Sequence, residues 1–168
     1  MSASPISAAQ LRREFDEAFA LPIDNETQAR EDLLLVRADG HELVLRTAEI
    51  AGILPCPPPT PLPSTHAALR GLVGVRGTLV AVYAIATLLG GSTSSKGGGW
   101  IVLCRQDRSA ALSFDDLVGH ASVPREAIHA ALAPNGGGEL VDVEGVHRAV
   151  LRVPALLARI HGTAGGEE

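Results

Sequence analysis

From Leu33 onward the chain alternates short apolar runs, rich in Val, Leu and Ile, with turn residues, which is how small β-barrels and sandwiches read. Leu33-Leu34-Leu35-Val36 and Leu43-Val44-Leu45 flank Asp39-Gly40. An Asp-Gly pair between two such runs predicts a hairpin, because glycine accepts the positive φ that a tight turn requires. Leu69 to Val75 and Leu79 to Ile85 repeat the arrangement around Arg76-Gly77, and Leu140 to Val143 and Val146 to Val153 repeat it around Glu144-Gly145. Trp100 to Cys104 and Ala110 to Phe114 give two further strands around the polar segment Arg105 to Ser109. Thr47 to Ile53 reads as either a short helical turn or an irregular crossing. Ala86 to Leu89, before Gly90, predicts one helical turn with a glycine C-cap.

The ends of the chain follow a helical period instead. Ser7-Ala-Ala-Gln10 places a hydroxyl and an amide where each can satisfy an orphan backbone donor, and Leu11, Phe15 and Phe19 then recur every fourth position. This predicts a short amphipathic leader helix stopped at Leu21-Pro22, followed by a polar linker from Asp24 to Asp32. Near the other end Pro154 suits a first helical turn, Leu156, Leu157 and Ile160 make one apolar face, and Gly162 ends it. Between Pro55 and Pro63 lie six of the eleven prolines, whose missing donors and fixed φ argue against helix and central strand. That stretch is an exposed extended connection, with PxxP spacing that could also suit an SH3-type groove. Gly91 to Gly99 reads as a mobile loop, and the tail to Glu168 is too polar and Gly-rich to pack. The strand pairs suggest two small β-subdomains of about five strands each.

Composition narrows the function classes. With 168 residues and 46% hydrophobic positions there is material for one real core and not for two large domains. Net charge is -5, and no segment combines basic and aromatic residues, so a nucleic-acid footprint is missing. Up to Asp32 three basic residues face seven acidic ones, so the leader is acidic while the body is close to neutral. The two cysteines, Cys56 and Cys104, form no CxxC and follow no secretory signal, and no apolar run approaches the ~20 residues of a membrane span. A cytoplasmic protein without direct membrane insertion is the expectation.

Catalytic chemistry finds no constellation. The six histidines form neither HxH nor HExxH spacing, which predicts no metal site. Asp115-Asp116 are adjacent, and adjacent residues on a strand point to opposite faces, so they could not readily share a proton. Gly97-Gly98-Gly99 and Gly136-Gly137-Gly138 lack the Lys-Ser/Thr ending of a phosphate loop, and Ser64, Ser109, Ser113 and Cys56 have no nucleophile elbow or evident base. No enzyme, cofactor or metal is expected. Arg76, between Gly74 and Gly77, stands out instead as an accessible cation in an apolar hairpin.

The stretch Gly71 to Gly90, with Gly74-Val75-Arg76-Gly77 within it, resembles the CheW-like family of chemotaxis adaptors, whose hallmark is an Asn-Leu-Arg-Gly hairpin followed by an apolar strand. His41 to Ile50 looks like the family's strand leading into a Glu-Ile pair, here Glu49-Ile50. The proline-rich linker follows in order, as does Ala111 to Val118 with Asp115 in register. The resemblance covers Asp32 to His161. It divides the chain into an acidic leader and linker (1–31), a CheW-like domain (32–161) and a flexible tail (162–168).

The resemblance implies an all-β fold of two SH3-like β-barrel subdomains with a groove between them, closed by the C-terminal helix. It also implies a non-catalytic adaptor bridging the regulatory domain of a CheA-type histidine kinase and the cytoplasmic tip of a chemoreceptor. The residues it implicates in partner binding are Arg76 with its neighbours Val75, Gly77 and Leu79, and Glu49 with Ile50. The sequence departs from the family pattern at Gly74, Ala81, Ala84 and Arg152, where Asn, Pro, Asp and Asp are usual. A second reading keeps the fold but has lost receptor coupling and binds other proteins through the leader. A third is a small-ligand-binding enzyme using the groove.

Overall fold

The computed structural model describes residues 29–92, 99–131 and 138–163. Its elements in chain order are β1 (Arg30–Ala38), β2 (His41–Arg46), β3 (Ile50–Pro55), β4 (Leu69–Val75), β5 (Thr78–Ala84), α1 (Ile85–Leu88), β6 (Trp100–Cys104), β7 (Ala110–Phe114), β8 (Asp116–Pro124), β9 (Ile128–Ala131), β10 (Gly138–Val143), β11 (Val146–Leu151) and α2 (Val153–Thr163). They form a six-stranded sheet, β8-β1-β2-β11-β10-β9, and a five-stranded one, β3-β6-β7-β5-β4. Only β2 with β11 and β5 with β7 run parallel among the described strand pairs.

The apolar runs are continuous because the central strands are buried on both faces. Along β1 and β2, Leu34, Val36, Leu43 and Leu45 point into a core shared between the sheets, where they meet Val102, Leu112 and Phe114 of the second sheet and Leu156, Leu157 and Ile160 of α2. The alternate positions Leu33, Leu35 and Val44 face a second core inside the curl of the first sheet, with Val123, Val141 and Val150. The second sheet does the same, holding Val73, Val75, Val80, Val82 and Ile101 on its inner face. Period-two alternation thus serves two cores at once.

Ion pairs flank the inner core of the first sheet. Arg46, with a side chain 13% exposed, joins Glu31 at 2.9 Å and Glu139 at 2.6 Å. Further along the same strands Glu42 accepts hydrogen bonds from Arg37 (3.1 Å) and Arg148 (2.8 Å). These guanidiniums, Arg148 first, hold the Glu42 carboxyl below its usual range, and Arg46 does the same for Glu139. The curl is filled by side chains and bordered by paired charges.

The predicted hairpins stand. Each turns through a residue pair with positive φ: Asp39-Gly40 (50° and 76°), Arg76-Gly77 (49° and 80°) and Glu144-Gly145 (56° and 78°), the geometry of a type I′ turn. Other expectations need correction. Neither sheet is a closed hydrogen-bonded barrel: β8 and β9, the first sheet's outer strands, share its inner core through Val123 and Ile128 without pairing to each other. In the second sheet β3 and β4 are likewise the outer strands and do not pair with each other. Thr47 to Ile53 resolves into a 3-10 turn, Thr47–Glu49, and the start of β3. The polar Asp115-Asp116 step leads into a further strand, β8, and β9 is a second unpredicted one. α2 begins one residue before Pro154 and continues past Gly162. The leader, most of the Gly91 to Gly99 loop and the tail lie outside the described residues.

Within the proline-rich connection Thr60 makes a two-way backbone bridge to Leu72 (2.8 and 2.9 Å), which ties the connection against the outer edge of β4. Gly71 lies under this crossing with φ at +141°, and a Cβ on it would overlap the Thr60 carbonyl oxygen. The close approach requires glycine.

Candidate protein-interaction site

The β4–β5 hairpin carries most of the residues the sequence singles out. Val75 pairs with Thr78 across the turn, and its side chain, 8% exposed, completes the inner core of the second sheet. Arg76 and Gly77 form the exposed tip. Because strand faces alternate, Leu79 points opposite to Val80, away from the core, and is 67% exposed. Its cross-strand partner is Gly74, which has no side chain to cover it. Among the described residues the Arg76 guanidinium has no hydrogen-bond or ion-pair partner, whereas Arg37, Arg46 and Arg148 are all paired.

The tip projects from one end of the second sheet. Ala81 aligns with Ala110 at the start of β7, so Thr78, Leu79 and Val80 extend beyond it, at the end where β6 finishes and β3 begins. Glu49 and Ile50 lie at that same end, but their side chains are engaged. Ile50 is 5% exposed in the shared core. The Glu49 carboxylate accepts the backbone N–H of Val153 at 2.7 Å and so caps the N-terminus of α2. Arg105 adds two bonds to this corner, from its N–H to the Glu49 carbonyl (3.0 Å) and from its guanidinium to the Ile50 carbonyl (3.3 Å). The six candidates therefore divide: Arg76, Gly77 and Leu79 are presented to solvent, while Val75, Glu49 and Ile50 hold the scaffold beneath.

Sequence reading missed the outer face of this hairpin. Leu72 pairs with Ala81 and Gly74 with Leu79, giving a small-residue and apolar strip on the side away from the core. The alternation of Val73 and Val75 with Leu72 and Gly74 was the available signal. It missed too the groove between α2 and the β10–β11 hairpin, where Leu140 is 36% exposed.

Among the described residues no three His, Cys, Asp or Glu side chains gather to hold a metal ion. Cys104 is fully buried, and loss of hydration pushes its thiol up to about 12. Burial also raises the Cys56 thiol, which donates to the Pro57 carbonyl. Neither thiol has the lowered pKa of a nucleophile. No helix among the described residues is long and apolar enough to cross a membrane.

Two curled sheets sharing one core, closed by a terminal helix and presenting an arginine turn, define a β-scaffold domain built for contact with other proteins. Residues 32–160 match the CheW-like domain family, and the chain belongs to it, among the adaptor and scaffold domains of chemotaxis. In fold it is similar to the crystal structure of the scaffolding protein TtCheW from Thermoanaerobacter tengcongensis, with a TM-score of 0.65 and 13% identity over 75% of this chain and 91% of that one. No curated protein matches it in sequence.

Proposed function

We propose that this protein is a non-catalytic, cytoplasmic adaptor of bacterial chemosensory signalling. It couples the regulatory domain of a CheA-type histidine kinase to the cytoplasmic tip of chemoreceptors through separate protein interfaces. The domain that does so spans residues 32–161, and its two curled sheets take the place of two SH3-like barrels. The observation that carries this reading is the β4–β5 tip, where Arg76, without a partner among the described residues, is held in a left-handed turn beside a Leu79 that is 67% exposed. An arginine with an apolar neighbour is the composition of an interface anchor. Left-handed backbone costs a non-glycine residue roughly 1–2 kcal/mol, so the turn gains nothing in stability from arginine.

The test is recovery of partners from native cytosol by the full chain and by Arg76→Glu. Wild type should recover a histidine kinase and a chemoreceptor, and the variant should lose the receptor at unchanged thermal stability. Recovery of neither by the wild type would contradict the proposal.

A further inference from the structure

An apolar groove of about 310 Å³ runs between α2 and the face of β10–β11 turned away from the inner core, lined by Leu43, Leu89, Leu140, Ala149, Leu151 and Leu156. Leu140 is 36% exposed there, although its strand is paired on both sides. A second hollow shares Leu43 and Leu89 and prolongs the groove toward the β1–β2 turn at Asp39 and His41.

The charges along the first groove are Arg152, Arg159 and Glu139. Glu139 is paired with Arg46 at 2.6 Å, so its charge is already answered. Arg152 is exposed, and its guanidinium attracts Glu139 through space without bonding to it. Arg159 is exposed too, and keeps its charge while donating to the Leu88 carbonyl at 2.9 Å. The rim is therefore net basic. The carbonyl of Arg152 accepts the first N–H bonds of α2, from Ala155 and Leu156, and Arg159 follows two turns on. Seven residues of helix rise by about 10 Å, so the two cations bracket the apolar wall rather than gather at one end of it.

That layout selects among occupants. β10 lies between β9 and β11, and β11 between β10 and β2, so the groove floor has no free sheet edge. An extended segment laid there would bury amides without partners, whereas a helix satisfies its own. An alkyl carboxylate could fill the floor but carries one charge for two separated guanidiniums. A helix with an apolar stripe and carboxylates seven positions apart meets both cations and the floor together.

We propose that the α2 groove is a docking site for an amphipathic helix of another protein, one whose apolar stripe is flanked by two carboxylates two turns apart that pair with Arg152 and Arg159. Leu140 and Leu151 supply the apolar contact, and the two arginines set orientation and exclude basic helices. The groove shares no residue with the β4–β5 tip, so this inference stands or falls apart from the adaptor reading.

The experiment titrates the full chain into a fluorescent, synthetic amphipathic peptide of about 18 residues, long enough to hold helix. Its leucine stripe is flanked by two glutamates seven positions apart, and a second peptide carries lysines in their place. Anisotropy should show the glutamate peptide binding at least about tenfold more tightly than the lysine peptide. Arg152→Glu should weaken the glutamate peptide about fivefold and strengthen the lysine peptide by a similar factor, a reversal that a merely structural defect would not produce. Leu140→Asp, an exposed position, should weaken the glutamate peptide at least about tenfold at an unchanged melting temperature, while Arg76→Glu should leave it unaltered. No binding of the glutamate peptide, equal binding of the two peptides, or indifference to both Arg152→Glu and Leu140→Asp would overturn the proposal. Displacement of the peptide by decanoate at equal concentration would assign the groove to an acyl chain, and a dimer of the full chain broken by Leu140→Asp would assign it to a second copy; either would overturn it as well.

Discussion

Gly71 and Arg76, five positions apart on one hairpin, hold positive φ for opposite reasons. At Gly71 the Thr60 carbonyl occupies the space a Cβ would need, so Gly71→Ala should cost roughly 2–3 kcal/mol through steric displacement and backbone strain. Urea denaturation at fixed slope measures it, and a loss below a few tenths would show that the crossing gives way freely. Arg76 instead stands in open solvent with φ at 49°, where Asn is better suited. Arg76→Asn is expected to leave stability unchanged or raise it by about 0.5–1 kcal/mol while weakening receptor recovery. A variant less stable than wild type would mean that the guanidinium serves the fold after all.

At the scale of elements, α2 depends on a residue over a hundred positions away: the Glu49 carboxylate takes up the orphan Val153 N–H. Glu49→Ala should cost about 1 kcal/mol, the usual worth of a lost cap, seen as a lower melting temperature with the strand spectrum intact. The sequence does not reveal such a long-range cap, and the resemblance assigned Glu49 to partner binding. What is legible is the set of elements whose side chains bury on both faces or close a tight turn. The runs at Leu33, Leu43, Val73, Val80, Ile101 and Leu112 are such strands, and the turns that join the first two pairs carry glycine at the second position, Gly40 and Gly77. β3, β8 and β9 are outer strands with few buried positions: β8 has only Val123 buried, and β3 only Ile50. Without an apolar stripe or a turn pair, Gly119-His120 and Ala51-Gly52 carry no strand signal, and their pairing comes from neighbours far along the chain. At the candidate site the turn and its exposed arginine were legible, because Arg76-Gly77 is a local signal. The engagement of Glu49 and Ile50 was not, because it depends on where α2 and β6 arrive.

For the whole molecule, acid is the expected weakness. Arg148 and Arg37 lower the Glu42 carboxyl, Arg46 lowers Glu139, and hydrogen bonds from Ser109 lower Asp107. Each carboxylate binds its proton less readily folded than unfolded, so its contribution to stability is present above its ordinary value, 4.5 for the glutamates and 3.8 for the aspartate, and is lost as pH falls through the lowered folded value. Urea midpoints should hold from about pH 7 to pH 5 and fall below about pH 4.5. Arg46→Met, which leaves Glu31 and Glu139 unpaired, should cost more at about pH 7 than at about pH 3. An equal cost at both would show that Arg46 acts by packing alone.

The adaptor account rests on two separable interfaces on one pair of sheets, and titration calorimetry tests that directly. The full chain and Arg76→Glu would each be titrated with a chemoreceptor cytoplasmic-tip fragment and with the regulatory domain of a CheA-type kinase. The account predicts that wild type binds both, and that the variant, melting at the same temperature, keeps the kinase domain but binds the receptor tip at least about tenfold more weakly, as loss of a central arginine anchor entails. Equal receptor affinity in the two proteins, or no heat with either partner, would contradict it.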